Sequence, residues 1–247
     1  MKTYIDLLKM SGVARVLLSQ LTARFPFGML SLAFLIHIEH IHNSYAAAGA
    51  VLGALALGQA LVGPITSRMM GIFGIRPVII ATIVVVSVTV SVMTLLPLPI
   101  WSLMALGLLA GASMPPIQPA VRTMYPKMVP STKLTPLFSL DSSAQEIIWI
   151  VGPVLTTFVA VQISSVAATL LAVSFFIFGG LWFLTSPIVG RVRIPRSKTP
   201  FGGVLKRPTV IISTIVGLLL VASFAAVEAG IVAVFGDGGP TAGWVLA

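Results

Sequence analysis

Long, nearly unbroken apolar runs cut by short polar breaks set the pattern of this chain. Tyr45 to Thr66 is almost wholly apolar, and so is Pro77 to Leu96, with a short basic break, Ser67 to Arg76, between them. Each run is about 20 residues, the length a helix needs to cross roughly 30 Å of hydrocarbon at about 1.5 Å per residue. Reading the whole chain this way predicts seven spans, at approximately 16–41, 45–66, 77–96, 100–121, 137–161, 166–188 and 209–235. Helices rather than barrel strands follow from the length of the runs and from the lack of two-residue polar alternation. The break from Ser67 to Arg76 reads as a tight turn at a membrane surface, carrying Arg68 and Arg76. The predicted fold class is an all-α polytopic membrane protein.

Composition supports that class. The chain has 247 residues, 57% hydrophobic and 9% charged, and its mean hydropathy is +1.07, far outside the soluble globular range. The lipid bilayer is therefore its first partner. The lack of cysteine removes disulfides, thiolate chemistry and zinc–cysteine sites. A net charge of +9 suits nucleic acid in a soluble protein, but here no soluble domain carries a basic face, so no nucleic-acid partner is expected. No cleavable signal is evident, because Met1 to Arg15 holds Lys2, Asp6 and Lys9 and the first apolar run is too long for a signal core.

The charge changes the picture through its placement. Lys2, Lys9 and Arg15 precede the first span, Arg68 and Arg76 follow the second, and Arg122, Lys127 and Lys133 follow the fourth. Arg191, Arg193, Arg196, Lys198, Lys206 and Arg207 follow the sixth. Every Lys and Arg except Arg24 thus falls on one side, and basic loops stay in the cytoplasm. The expected orientation has the N-terminus cytoplasmic and the seventh span ending outside. The stretch from Gly190 to Pro208, with Pro195, Pro200, Gly202 and Gly203, reads as a non-helical connector. A short echo, Val62-Gly63-Pro64 in the second span and Val151-Gly152-Pro153 in the fifth, is consistent with repeats of three helices.

Few polar groups lie inside the apolar runs, and each is costly there unless it faces the bundle or water. Glu146, about ten residues into the fifth span, suits reversible protonation; otherwise it caps a neighbouring helix or pairs with Arg122. Glu228, in the seventh span, is a candidate for a substrate cation or a proton, or else a solvated residue near the interface. Arg24 either snorkels to the surface or faces a cavity and favours an anionic group there. Arg122 follows Pro115, Pro116 and Pro119, so the end of the fourth span is expected to be kinked or partly unwound. His37, His40 and His42 cluster with Glu39 at the end of the first span. Metal binding and pH sensing are conceivable for them, and a plain interfacial rim is the expectation, with no metal. Ala46, Ala47, Ala48, Gly49, Gly53, Gly58 and Gly63 allow close helix packing in the second span.

Two stretches carry a family resemblance. Ser67-Arg68-Met69-Met70-Gly71-Ile72-Phe73-Gly74-Ile75-Arg76 resembles the loop between the second and third helices of the major facilitator superfamily, roughly G-x-L-A-D-R-x-G-R-R. Gly74 and Arg76 match, while Ser67, Gly71 and Ile72 stand where the first glycine, the acid and the first arginine would be. Asp141-Ser142-Ser143-Ala144-Gln145-Glu146, followed by Gly152-Pro153, resembles the fifth helix of bacterial facilitator-type exporters, in which an acid precedes a Gly-Pro. The family also carries a buried arginine in the fourth helix, in a pattern like R-x-x-x-G; Gly107 and Gly111 are present here, but Ile100 to Val121 holds no basic residue.

The resemblance implies a six-helix N-terminal bundle over 1–189, a basic cytoplasmic linker over 190–208, and a seventh helix opening a second bundle over 209–247. On this reading the chain is expected to be cut short of the family's full length. It implies proton-coupled export of a small molecule through the cell membrane, with protons as partner and no cofactor. Glu146, Glu228, Arg24, Arg122 and Asp141 would be the substrate or proton pathway, and Arg68, Gly74, Arg76, Gly152 and Pro153 the moving parts. The alternatives are a truncated remnant that does not transport and a half-transporter working as a homodimer. A membrane enzyme finds no support, since no paired catalytic carboxylates and no Gly-x-Ser-x-Gly are present.

Overall fold

A computed structural model of the chain describes residues 2–192, 194 and 208–235, with the side chains of 2–3, 221 and 224–235 left out. The first apolar run forms two helices, α2 (Val13–Arg24) and α3 (Pro26–His42), after a short α1 (Lys2–Leu8). Then come α4 (Tyr45–Phe73), α5 (Ile75–Leu95), α6 (Ile100–Ala112), α7 (Ile117–Met128), α8 (Leu134–Gln162), α9 (Ser165–Leu184), α10 (Pro187–Arg191) and α11 (Pro208–Phe235). Among the described residues, six segments are long and apolar enough to cross a membrane: Val13–His42, Tyr45–Phe73, Ile75–Leu95, Ile100–Met128, Ser131–Gln162 and Ser165–Leu184. The chain divides into two compact units, Met1–Pro195 and Arg196–Ala247. The first holds α1 to α10, and α11 is the described helix of the second.

Two of the long helices start where a hydroxyl accepts an otherwise unpaired backbone N–H. Ser44 accepts from the Ala47 N–H (3.2 Å) at the head of α4, and Ser164 from the Ala167 N–H (3.0 Å) at the head of α9. Pro26 opens α3 at its first turn, where a missing N–H costs nothing. Close packing of α4 on α6 uses glycine: a Cβ on Gly107 would lie 3.0 Å from the Val51 carbonyl oxygen, and one on Gly111 would overlap the Leu55 carbonyl. In lipid such contacts do the work that hydrophobicity does in water.

The first unit has two apolar cores. One joins Leu7, Val16, Met70, Ile79, Met124 and Phe183 near the N-terminus and the α4–α5 and α7–α8 junctions. The other joins Met29, Phe34, Val51, Val90, Leu103 and Phe176 toward the α3–α4 and α8–α9 junctions. The first core marks the basic end of this unit and the second its histidine end.

Three sequence expectations are corrected. The tight turn expected over Ser67 to Arg76 is far shorter: α4 stays helical to Phe73, and only Gly74, at φ +93°, leaves the helix before α5. Polar residues end the hydrocarbon crossing, but nothing between Thr66 and Phe73 forces the backbone out of a helix that satisfies its own hydrogen bonds. The fourth span breaks around Pro115 and Pro116 as expected, yet resumes as α7 and runs to Met128, so Arg122 lies within a helix rather than closing the span. The first span is broken at Phe25, which hydropathy gave no sign of.

Candidate functional site

Helical spacing builds the buried polar site. Gln20 and Arg24 are four apart on α2, and Asp141 and Gln145 are four apart on α8, so each pair shares one helix face. The two faces meet. Arg24 donates from Nη1 to Gln20 Oε1 (2.9 Å) and from Nη2 to Gln145 Oε1, and Gln20 donates from Nε2 to Asp141 Oδ1 (2.7 Å). The Arg24 Nη1 to Asp141 Oδ1 distance is 3.5 Å, with the two side chains 5% and 4% exposed. Gln20 is the group that can bridge them, since its amide accepts from the cation and donates to the anion. Arg24 also closes the last turn of α2, where the helix dipole favours a cation.

On α7, Tyr125 packs edge-on against Phe138, ring centroids 5.4 Å apart. Its buried hydroxyl makes no hydrogen bond and stands beside Asp141 as an electrostatic neighbour of the network. Arg122 is exposed on the same helix and acts on Arg24 at longer range.

The network opens on a cavity of about 490 Å³. Arg24, Ser31, Gln59, Gln118 and Gln145 give it polar points, and Phe27, Leu30, Leu52, Leu55, Ile148 and Trp149 give it apolar walls. Helix irregularities surround it: the break at Phe25 in the first span, the Ser113–Pro116 break in the fourth, and Pro64 and Pro153 inside α4 and α8. Gly152 lies against Gly28, where a Cβ would come 2.9 Å from the Gly28 carbonyl carbon and oxygen.

Of the residues singled out from sequence, the structure thus brings together Arg24 and Asp141, with Arg122 nearby. Arg24 is buried and paired rather than snorkelling. Glu146 is exposed on another face of α8 and makes no ion pair or hydrogen bond among the described residues. Glu228 lies in α11, its side chain outside the described residues. Arg68 is half-buried near the end of α4, and the Arg76 guanidinium lies over Gly190. His37 is 2% exposed, not part of a rim, whereas His40 is exposed. Among the described residues no group of three or more His, Asp or Glu is placed to hold a metal. Gln20, Gln145 and Tyr125 were not foreseen; the signal for the two glutamines was their four-residue spacing from Arg24 and Asp141 within apolar runs.

A family model described as the Major Facilitator Superfamily matches residues 16–247. No curated protein matches the chain.

Proposed function

Because the chain belongs to the Major Facilitator Superfamily, whose members carry small molecules across membranes, we propose that it is a proton-coupled carrier in which Asp141 and the substrate compete for Arg24. The observation that supports this is the double engagement of Arg24, which pairs with Asp141 and lines the cavity. With Asp141 ionised, the guanidinium is held by its anion and two amides. A proton on Asp141 removes that counter-charge and leaves the cation available to an acceptor in the cavity. The walls suit a mostly apolar molecule carrying one acceptor or anionic group. Glu146 and Glu228 are the further acids proposed for proton movement, and Arg122 is proposed to bias Arg24 by like charge. Gly74 between Arg68 and Arg76, and Gly152-Pro153 in α8, are proposed as the points that yield during alternating access.

The acid that precedes Gly152-Pro153 resembles that of exporters, but a proton that frees Arg24 for the substrate makes the two travel together, so the mechanism proposed here is symport, in the inner membrane of a bacterium with a cytoplasmic N-terminus. The test is transport of a panel of apolar dyes bearing carboxylate or other acceptor groups in proteoliposomes with an imposed pH gradient. Asp141→Asn is expected to lose gradient-driven accumulation while keeping substrate exchange at equilibrium. Glu146→Gln is the comparison that tells which carboxylate couples. Full uphill accumulation by Asp141→Asn would sink the proposal.

A further inference from the structure

Two side-chain amides stand in the cavity wall with no partner. On α4 the lining residues Leu52, Leu55, Gln59, Gly63 and Thr66 recur three and four apart, so they share one helix face. Gln59 interrupts that stripe in its middle, while the Thr66 hydroxyl is spent on the Gly63 carbonyl (2.9 Å). Gln118 lies in the first turn of α7, just before Pro119. A Cβ on Gly111 would come 2.9 Å from the Gln59 backbone nitrogen, so both amides border the Ser113–Pro116 break. Neither makes a hydrogen bond among the described residues, and an unpaired amide within a membrane span is costly unless it faces water or a ligand. Arg24 and Gln145 enter the same cavity from α2 and α8, already bonded to each other. The cavity thus has a charged pole on α2 and α8 and a neutral one on α4 and α7. Among the described residues no Asp or Glu lines it.

A carboxamide donates through its N–H groups and accepts through its oxygen. Its full complement is an uncharged group that does both at separate atoms, which is what another amide offers. A second anion at the neutral pole would meet no cation there, and a cation would meet no carboxylate. A purely apolar group would strip water from two amides and leave them unpaired. We infer that Gln59 and Gln118 read an uncharged amide on the substrate, in addition to the acceptor that Arg24 takes. The inference rests on the carrier reading of the same cavity and narrows the substrate class to an apolar N-acyl acid. Its carboxylate lies toward α2 and α8, and its amide toward α4 and α7. A site built to hydrogen-bond a group discriminates against the analogue that lacks it, because its own polar groups then go unpaired. Gln59 and Gln118 are thereby specificity-determining residues.

The test is binding of matched indoles to the full chain in lipid nanodiscs by isothermal titration calorimetry, with empty nanodiscs as the blank. N-Acetyltryptophan carries a carboxylate and an amide, indole-3-propionate lacks the amide, and indole-3-lactate has a hydroxyl in its place. N-Acetyltryptophan is expected to bind about tenfold tighter than indole-3-propionate, the effect of two neutral hydrogen bonds, and tighter than indole-3-lactate. Gln59→Leu and Gln118→Leu should each cut that preference severalfold and leave indole-3-propionate unchanged. The comparison of probes on the natural chain decides even if a variant fails to fold. Equal binding of N-acetyltryptophan and indole-3-propionate, a preference matched by indole-3-lactate, one that survives both replacements, or no binding of any of the three each overturns the amide pole. Those results leave the competition for Arg24 to the Asp141→Asn assay. N-Acetyltryptophanamide, which has no carboxylate, tests Arg24 separately. Binding as tight as that of N-acetyltryptophan, weakened in both glutamine variants, would support the amide pole and remove Arg24 from recognition.

Discussion

Arg24 and Asp141 each give up hydration worth several kcal/mol on burial, and the pair stands only because its hydrogen bonds are filled from both helices. Removing one partner is therefore far worse than removing both. Asp141→Asn should lower stability by about 3–5 kcal/mol, read as a thermal transition shifted to lower temperature in detergent while the variant still folds, whereas Arg24→Gln with Asp141→Asn should recover a large part of it. A single variant as stable as the natural chain would show that the cation finds another anion. Gln20→Leu strips the bridging amide from both ions and should cost about 1–3 kcal/mol, while Glu146→Gln, exposed and unpaired, should stay within about 0.5 kcal/mol in the same assay. The two carboxylates also show where sequence reading stops. Depth along α8 is legible from residue number, but at about 100° per residue five positions turn a side chain by roughly 140°, and only packing says which face is inside. The buried cation is supplied by α2, where the family resemblance looks to the fourth helix, and nothing in the fourth span's own residues reveals that substitute.

Between elements, the closest approach at the site is glycine on glycine. Gly28 in α3 and Gly152 in α8 leave no room for a side chain between the first and fifth spans, since a Cβ at Gly152 would meet the Gly28 backbone at 2.9 Å. Gly152→Val should therefore force the helices apart at a cost of about 1–3 kcal/mol and loosen the cavity beside Ile148. Gly53→Ala is the matched control, because nothing lies within 4 Å of its added Cβ; it should hold or gain up to about 1 kcal/mol through helix propensity. Equal loss of thermal stability in both would mean that glycine content, not this contact, is what matters. The small residues of α4 were readable as a packing device, but their roles were not: Gly58 meets the Leu108 backbone, while Gly49, Gly53 and Gly63 meet nothing. Helix ends were legible in part for a similar reason. Hydropathy finds where hydrocarbon stops, at Thr66 or Val121, but the helices run on to Phe73 and Met128 because a backbone leaves a helix only where a residue such as Gly74 or a proline pair makes it.

Over the whole molecule, the number and order of crossings in the first unit followed from run length alone, because hydrocarbon admits little besides helices of that length. Which way they point rests on charge. At the basic end the cations are partly built into the fold: Arg15 donates from Nη2 to Thr185 Oγ1 (2.9 Å) and to its carbonyl oxygen (3.3 Å) at the close of α9, and Lys133 reaches Met10 Sδ (3.9 Å). Arg68, Arg76, Arg122, Lys127 and Arg191 belong to the same end, whereas 43–44, 96–99 and 163–164 carry no Lys or Arg. Anionic lipid on the cytoplasmic leaflet attracts each cation by about 1 kcal/mol, and translocating that many charges is opposed during insertion. The sum leaves little room for a mixed orientation, and it predicts a single outcome for two cysteines placed in this cysteine-free chain. In intact cells a membrane-impermeant maleimide should label Leu96→Cys, half exposed at the histidine end (49%), and should reach Ser131→Cys at the basic end only after permeabilisation. The reverse pattern would put Arg24 and Asp141 near the outer water. Because an alternating-access site meets each side in turn, that result would overturn the cytoplasmic N-terminus while leaving the competition for Arg24 to be decided by the Asp141→Asn transport assay.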